Sequence, residues 1–179
     1  MSMKFYKVFL FVFVVFFSTE TLAEKRGLNI YGQSRSLPSK GMYGEKGNMV
    51  KLSDFQGQFV IAVFWSRYCT PCLRELRDIT RFVEKTKYDG IKIVMVSLKK
   101  EWPGGFEEQR RFLKRFDAEN LDIYVDEKND LTAALGIFTS PVSVLISRDG
   151  KEIGRIRGLL KWNSQEVVEK IYQIKAEHG

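Results

Sequence analysis

Apolar positions along this chain fall into short runs whose spacing alternates between two periods. Residues 59–65 (FVIAVFW) are seven consecutive apolar side chains, the pattern of a strand buried on both faces. A polar turn, Ser66-Arg67-Tyr68, follows. Leu73, Leu76, Ile79 and Val83 then recur at helical spacing, predicting a helix that runs to about Thr86. Residues 91–98 (IKIVMVSL) predict a second buried strand after the turn at Tyr88-Asp89-Gly90. Pro103-Gly104-Gly105 breaks the chain, and Phe106, Gln109, Phe112, Leu113 and Phe116 form one side of an amphipathic helix. A short strand at 121–125 and a short helix at 129–135 come next, with Gly136 as a left-handed stop. Residues 142–147 and 152–157 read as an antiparallel pair joined at Asp149-Gly150. Asn163 and Glu166 predict a capping box for a last helix, whose core face is Val167, Val168, Ile171 and Tyr172.

The first 48 residues lack this regularity. Lys4 and Lys7 precede an apolar run at 8–17, and Thr21-Leu22-Ala23 ends the polar stretch after it. Basic, apolar, then small residues describe a secretory signal peptide over 1–23, or an uncleaved membrane anchor. Residues 24–48 read as linker and irregular cover, with a short strand near 28–31. Residues 49–52 alternate as an edge strand and open a domain over 49–179. Alternating strands and helices, closed by a hairpin and a helix, predict an α/β fold: a mixed central sheet with helices on both faces.

Chemistry enters at the start of the first long helix. The chain has only two cysteines, in Cys69-Thr70-Pro71-Cys72. Unpaired N–H groups and the helix dipole favour an anion at that end, which makes Cys69 a nucleophile near neutral pH. Pro71 in the first turn forfeits no hydrogen bond. Two cysteines and one histidine, the remote His178, are too few for a structural zinc site, so no metal is expected. The same count excludes a framework of structural disulfides in an exported protein. The net charge of +7 is spread along the chain, which argues against nucleic acid as a partner. Arg74, Arg77, Arg81 and Lys85 share a helix face; they read as a solvated face beside Glu75, Asp78 and Glu84, or as a docking surface for an acidic partner.

Four segments together resemble the thioredoxin superfamily, and within it the exported TlpA/ResA-like thiol–disulfide oxidoreductases. They are Lys51-Leu52-Ser53-Asp54-Phe55-Gln56-Gly57, Phe64-Trp65-Ser66-Arg67-Tyr68-Cys69-Thr70-Pro71-Cys72, Thr139-Ser140-Pro141 and Asp149-Gly150-Lys151. The resemblance implies a thioredoxin-like fold with a redox-active Cys69–Cys72 disulfide and no other cofactor. It implies a cis Pro141 beside the cysteines, with Ser140 and Pro141 gripping a partner's backbone by β-augmentation. Trp65 and Tyr68 would shield the site, while Thr70 and Pro71 set the turn between the thiols. Expected partners are exported proteins with disulfides, of the cytochrome c or copper-centre assembly type, and a membrane thiol-reducing donor. The expected location is the bacterial periplasm, soluble or anchored at the N-terminus. This chain departs from the pattern in having Tyr68 for Trp, Val63 for a buried Asp and Arg77 for a helix-kinking Pro. ResA-like members also carry a buried glutamate near the motif; Glu101 is the nearest counterpart, and it reads as a surface residue. With neutral Thr70 between the cysteines, and Arg67 and Arg74 taken as exposed, screened charges, the expected direction is reduction. Oxidase or isomerase activity remains an alternative, as does a Cu(I) module using both cysteines with Met42 or Met95.

Overall fold

The computed structural model describes residues 27–178. Eight strands form one mixed sheet: β1 (Gly27–Ser36), β2 (Gly41–Gly44), β3 (Met49–Lys51), β4 (Phe59–Phe64), β5 (Ile91–Leu98), β6 (Ile123–Asp126), β7 (Val142–Ile146) and β8 (Lys151–Arg157). Their spatial order is β1-β8-β7-β4-β5-β6-β2-β3. The parallel pairs β4–β5 and β5–β6 lie at the centre, and antiparallel strands flank them. Every residue of β4 is buried, as its unbroken apolar run requires of a strand covered on both sides.

Four α-helices cover the sheet: α1 (Thr70–Lys85), α2 (Gly105–Lys114), α3 (Asp130–Ala134) and α4 (Gln165–His178). Odd-numbered residues of β4 (Phe59, Ile61, Val63) pack with Leu76, Ile79 and Phe82 of α1, Leu113 of α2 and Val168, Ile171 and Ile174 of α4. Even-numbered residues (Val60, Ala62, Phe64) face the smaller layer of Leu131 on α3, Met42 and Leu52. Helices thus lie on both faces, as the pattern predicts. The layers are unequal.

The main difference from the sequence reading lies at the N-terminal side. The stretch read as a linker over 24–48 supplies two strands of the sheet, β1 and β2. β1 is an edge strand exposed along most of its length, so it carries no apolar alternation to read. It is held through β8 by register and by chemistry. The Tyr31 hydroxyl donates to Glu152 (2.7 Å), which forms a buried ion pair with Arg155 (2.6 Å). Gly154 allows the strands to approach, because a Cβ there would sit 2.5 Å from the Asn29 carbonyl oxygen. At the other end of the chain, Ser164 rather than Asn163 caps α4, its hydroxyl accepting from the Val167 N–H. Gly136 takes the predicted left-handed conformation (φ 64°). Residues 1–23, read as a leader or anchor, lie outside the described residues.

Candidate active site

The site stands at the end of the central strands. β4 stops at Phe64; Trp65 keeps its N–H on the Val96 carbonyl (3.0 Å) and turns the chain outward. A tight turn follows, closed by Cys69 N–H donating to Ser66 O (3.1 Å) and Tyr68 N–H donating to Ser66 Oγ (3.1 Å). Cys69 is the N-cap of α1, in extended conformation, and its Sγ accepts the Cys72 N–H at 3.2 Å. A sulfur thus occupies the place where a serine or aspartate oxygen normally satisfies an orphan N–H, so negative charge on Sγ is favoured there. Cys69 and Cys72 are joined in a disulfide with Cα atoms 5.2 Å apart. Cys69 is partly accessible, whereas Cys72 is 2% exposed. The outer sulfur is the one a partner can reach.

Ser140-Pro141, at the start of β7, joins this end of the sheet through the register Phe64↔Val142, and its peptide bond is cis. Ser140 is exposed and makes no backbone hydrogen bond among the described residues. Pro71 and Pro141 both line one groove of about 570 Å³. Trp65, Phe138 and Ser140 line a second cavity of about 260 Å³ on the other flank of the same loop. Trp65 is buried, with its ring 5.7 Å from that of Trp102. Tyr68, expected to shield the site, instead projects into solvent, 79% exposed, because the turn that carries it is polar and, among the described residues, the ring meets only the Arg67 guanidinium, 5.9 Å from its centroid. Thr70 is exposed in the first turn of α1.

Two glutamates near the cysteines are buried, against both sequence expectations. Glu75, read as part of the solvated face, is 3% exposed. It lies three residues after Cys72, on the same side of α1. Its Oε1 accepts the Leu160 N–H. Burial raises its carboxyl pKa to about 7, against the opposing pull of the Leu160 N–H and the nearby Trp162 indole, which makes no hydrogen bond of ordinary geometry. The signal was in the spacing: Cys72, Glu75 and Ile79 are at i, i+3 and i+7 of one apolar stripe.

Glu101, read as a surface residue, is 7% exposed. Its Oε2 accepts the Arg67 N–H at 3.0 Å. Arg67 is not a free, screened charge. Its guanidinium lies 4.6 Å over the Trp102 ring and 4.9 Å over Phe112, donates to the Glu101 carbonyl (3.0 Å) and pairs with Glu108 (2.6 Å). That pairing holds the Glu108 carboxyl below the usual range. The turn carrying Cys69 is therefore bolted to the segment that opens α2. Met42 lies in the apolar layer on the sheet face opposite Cys72, which removes it as a shared metal ligand.

An accessible sulfur at a helix start, a second sulfur buried one turn in and an exposed backbone edge beside both define a thiol–disulfide oxidoreductase on a thioredoxin-like sheet. The chain belongs to the Redoxin family, whose model matches residues 33–171. It is 28% identical over 127 residues to the thiol-disulfide oxidoreductase ResA of Bacillus thuringiensis subsp. konkukian, covering 70% of each chain. It is 29% identical to the sporulation thiol-disulfide oxidoreductase A of Bacillus subtilis, over 54% of this chain and 57% of that one. Among solved structures, a thiol:disulfide interchange protein DsbE from Chlorobium tepidum superposes with a TM-score of 0.64 at 27% identity, over 82% of this chain and 98% of the other.

Proposed function

We propose that this protein reduces disulfides of exported proteins through Cys69 and Cys72, in the compartment to which a leader at 1–23 directs it. The observation that carries the direction is Glu75, a buried carboxyl on the Cys72 side of α1 with a pKa raised to about 7. In the first step the Cys69 thiolate attacks a partner disulfide, forming a mixed disulfide and expelling one partner thiolate. Cys72 must then lose its proton in a place closed to bulk water. Glu75 takes that proton, the Cys72 thiolate attacks Cys69 Sγ, and the second partner sulfur leaves as thiolate. Two electrons have passed to the partner, and the Cys69–Cys72 disulfide is the product. A dithiol donor, expected at the membrane, returns the pair to its reduced state.

A carboxylate near Cys72 also opposes ionisation of the thiol. Oxidising members of such couples gain their power from a stabilised reduced form, and Glu75 works against that at Cys72. Two measurements test the reading. Cys72→Ser, expressed in the native compartment, is expected to accumulate a mixed disulfide between Cys69 and an exported protein; no adduct with Cys69 reduced and reachable overturns it. Equilibration with glutathione is expected to give a potential below about −180 mV, and a value well above that assigns the opposite direction.

A further inference from the structure

The basic face of α1 divides once its partners are known. Arg77 pairs with Asp117 (2.6 Å) and Arg81 with Asp78 (3.7 Å). Lys85 sits in the last turn, where the helix dipole favours a cation. Arg74 is exposed and has no ion-pair partner among the described residues. It lines the groove of about 570 Å³ between Pro71 of the redox motif and the Ser140-Pro141 loop. Arg157 lines the same groove, as does Leu159, which is 49% exposed at its rim. No aspartate or glutamate lines it.

The cavity on the other flank of the loop differs. It is lined by Glu101, Trp65 and Phe138, and it contains no arginine or lysine. A chain laid along Ser140 would meet guanidinium chemistry on one side and a carboxylate on the other. Arginine suits a carboxylate partner, because its planar fork can bind both oxygens. Electrostatic complementarity of this kind acts on encounter and on the choice of partner more than on final affinity.

We propose that the Arg74 groove selects disulfide partners in which an aspartate or glutamate lies beside the attacked cysteine. The partner segment runs extended along Ser140, its carboxylate reaches Arg74, and its sulfur meets Cys69. The proposal rests on the exchange reaction described above. It specifies which sequence that reaction prefers.

The test is a single-turnover reaction between the reduced full-length protein and cyclic peptide disulfides that differ only by Asp, Asn or Lys two residues from one cysteine. Each reaction oxidises Cys69 and Cys72 to their disulfide and leaves two peptide thiols. The Asp peptide is expected to react about fivefold faster than the Lys peptide at low salt, with the gap closing as screening rises toward about 1 M salt. Arg74→Glu is expected to invert the Asp-to-Lys ratio, and Arg74→Lys to keep its sense. Because each ratio is internal to one variant, a general loss of activity cancels. Should the variants fail to fold, the salt dependence of the native protein still decides. Equal rates for all three peptides overturn the selection while leaving the exchange reaction standing. Failure to reduce any peptide, together with failure to reduce neutral hydroxyethyl disulfide, overturns both.

Discussion

Glu75 and Glu101 are both buried beside the redox turn, one from α1 and one from a segment 34 positions beyond Arg67, and they do different work. Glu101 accepts the Arg67 N–H in a network that also holds the Arg67 guanidinium, so its carboxylate serves as a fixed acceptor that shapes the turn. Glu75 accepts one N–H from Leu160, beneath apolar cover, and its proton is held up to about pH 7. One carboxylate positions the turn; the other holds its proton to about pH 7. Burial alone does not distinguish a structural acid from a proton carrier; the surroundings of the second oxygen and the neighbouring nucleophile do.

The largest test of that contrast is Glu75→Gln. The amide keeps the Leu160 contact and cannot take a proton, so release of the second partner thiol is expected to slow by on the order of 10²-fold. The inflection near pH 7 should vanish from stopped-flow profiles; an unchanged profile would show that Glu75 is no proton acceptor. Stability gives a matching signature. The folded state keeps the Glu75 proton to about pH 7, the unfolded chain only to about 4.5. The native protein therefore loses stability as pH rises between those values, by as much as about 3 kcal/mol. Urea titrations of Glu75→Gln should show that loss removed and the variant more stable than the native protein at pH 8.

A smaller effect is expected at Arg67. Arg67→Ala removes the stack on Trp102 and Phe112, worth about 1–2 kcal/mol, and frees the Cys69 turn. Its mark should be faster proteolysis or hydrogen exchange at 66–69 with the pH 7 inflection in place. Glu101→Ala leaves the Arg67 N–H without its acceptor and should cost about 1 kcal/mol. Glu101→Gln restores an acceptor and should fall within about 0.5 kcal/mol of the native protein by the same denaturation. If Glu101→Gln, rather than Glu75→Gln, abolished the inflection, the two roles would have to be exchanged.

The legible parts of this molecule were those whose signals are local. β4, α1 and β5 announce themselves because an apolar run, a cysteine turn and a 3.6-residue stripe each lie within one segment. The cysteines are legible from motif and spacing, whereas the role of the Ser140-Pro141 loop came from the family resemblance. Of β1 only the stretch near 28–31 is legible, because an edge strand exposed along most of its length has no alternation to display; its full extent and place are fixed by Glu152 and Gly154, more than 120 residues on. Glu75 was misplaced because a charged residue on an amphipathic helix defaults to solvent. The cover that buries it, around Leu160 and Trp162, is about 85 positions away. Arg67 was read as free for the same reason: its aromatic bed at Trp102 and Phe112 comes from another segment.

The sheet register also fixes where the two ends of the fold emerge. Phe64 faces Val142, Val142 faces Arg157, and Arg157 faces Gly27, so β1 begins in the row that leads into the cysteine turn, about 14 Å across three strand spacings. At the other terminus, Tyr172 of α4 bonds Asp89 and Lys175 lies against Gly90, at the opposite rim where β5 begins. The chain therefore enters the fold at Gly27 on the same rim as the thiols. A fluorescent or affinity tag is best fused behind α4, where it stands clear of docking proteins.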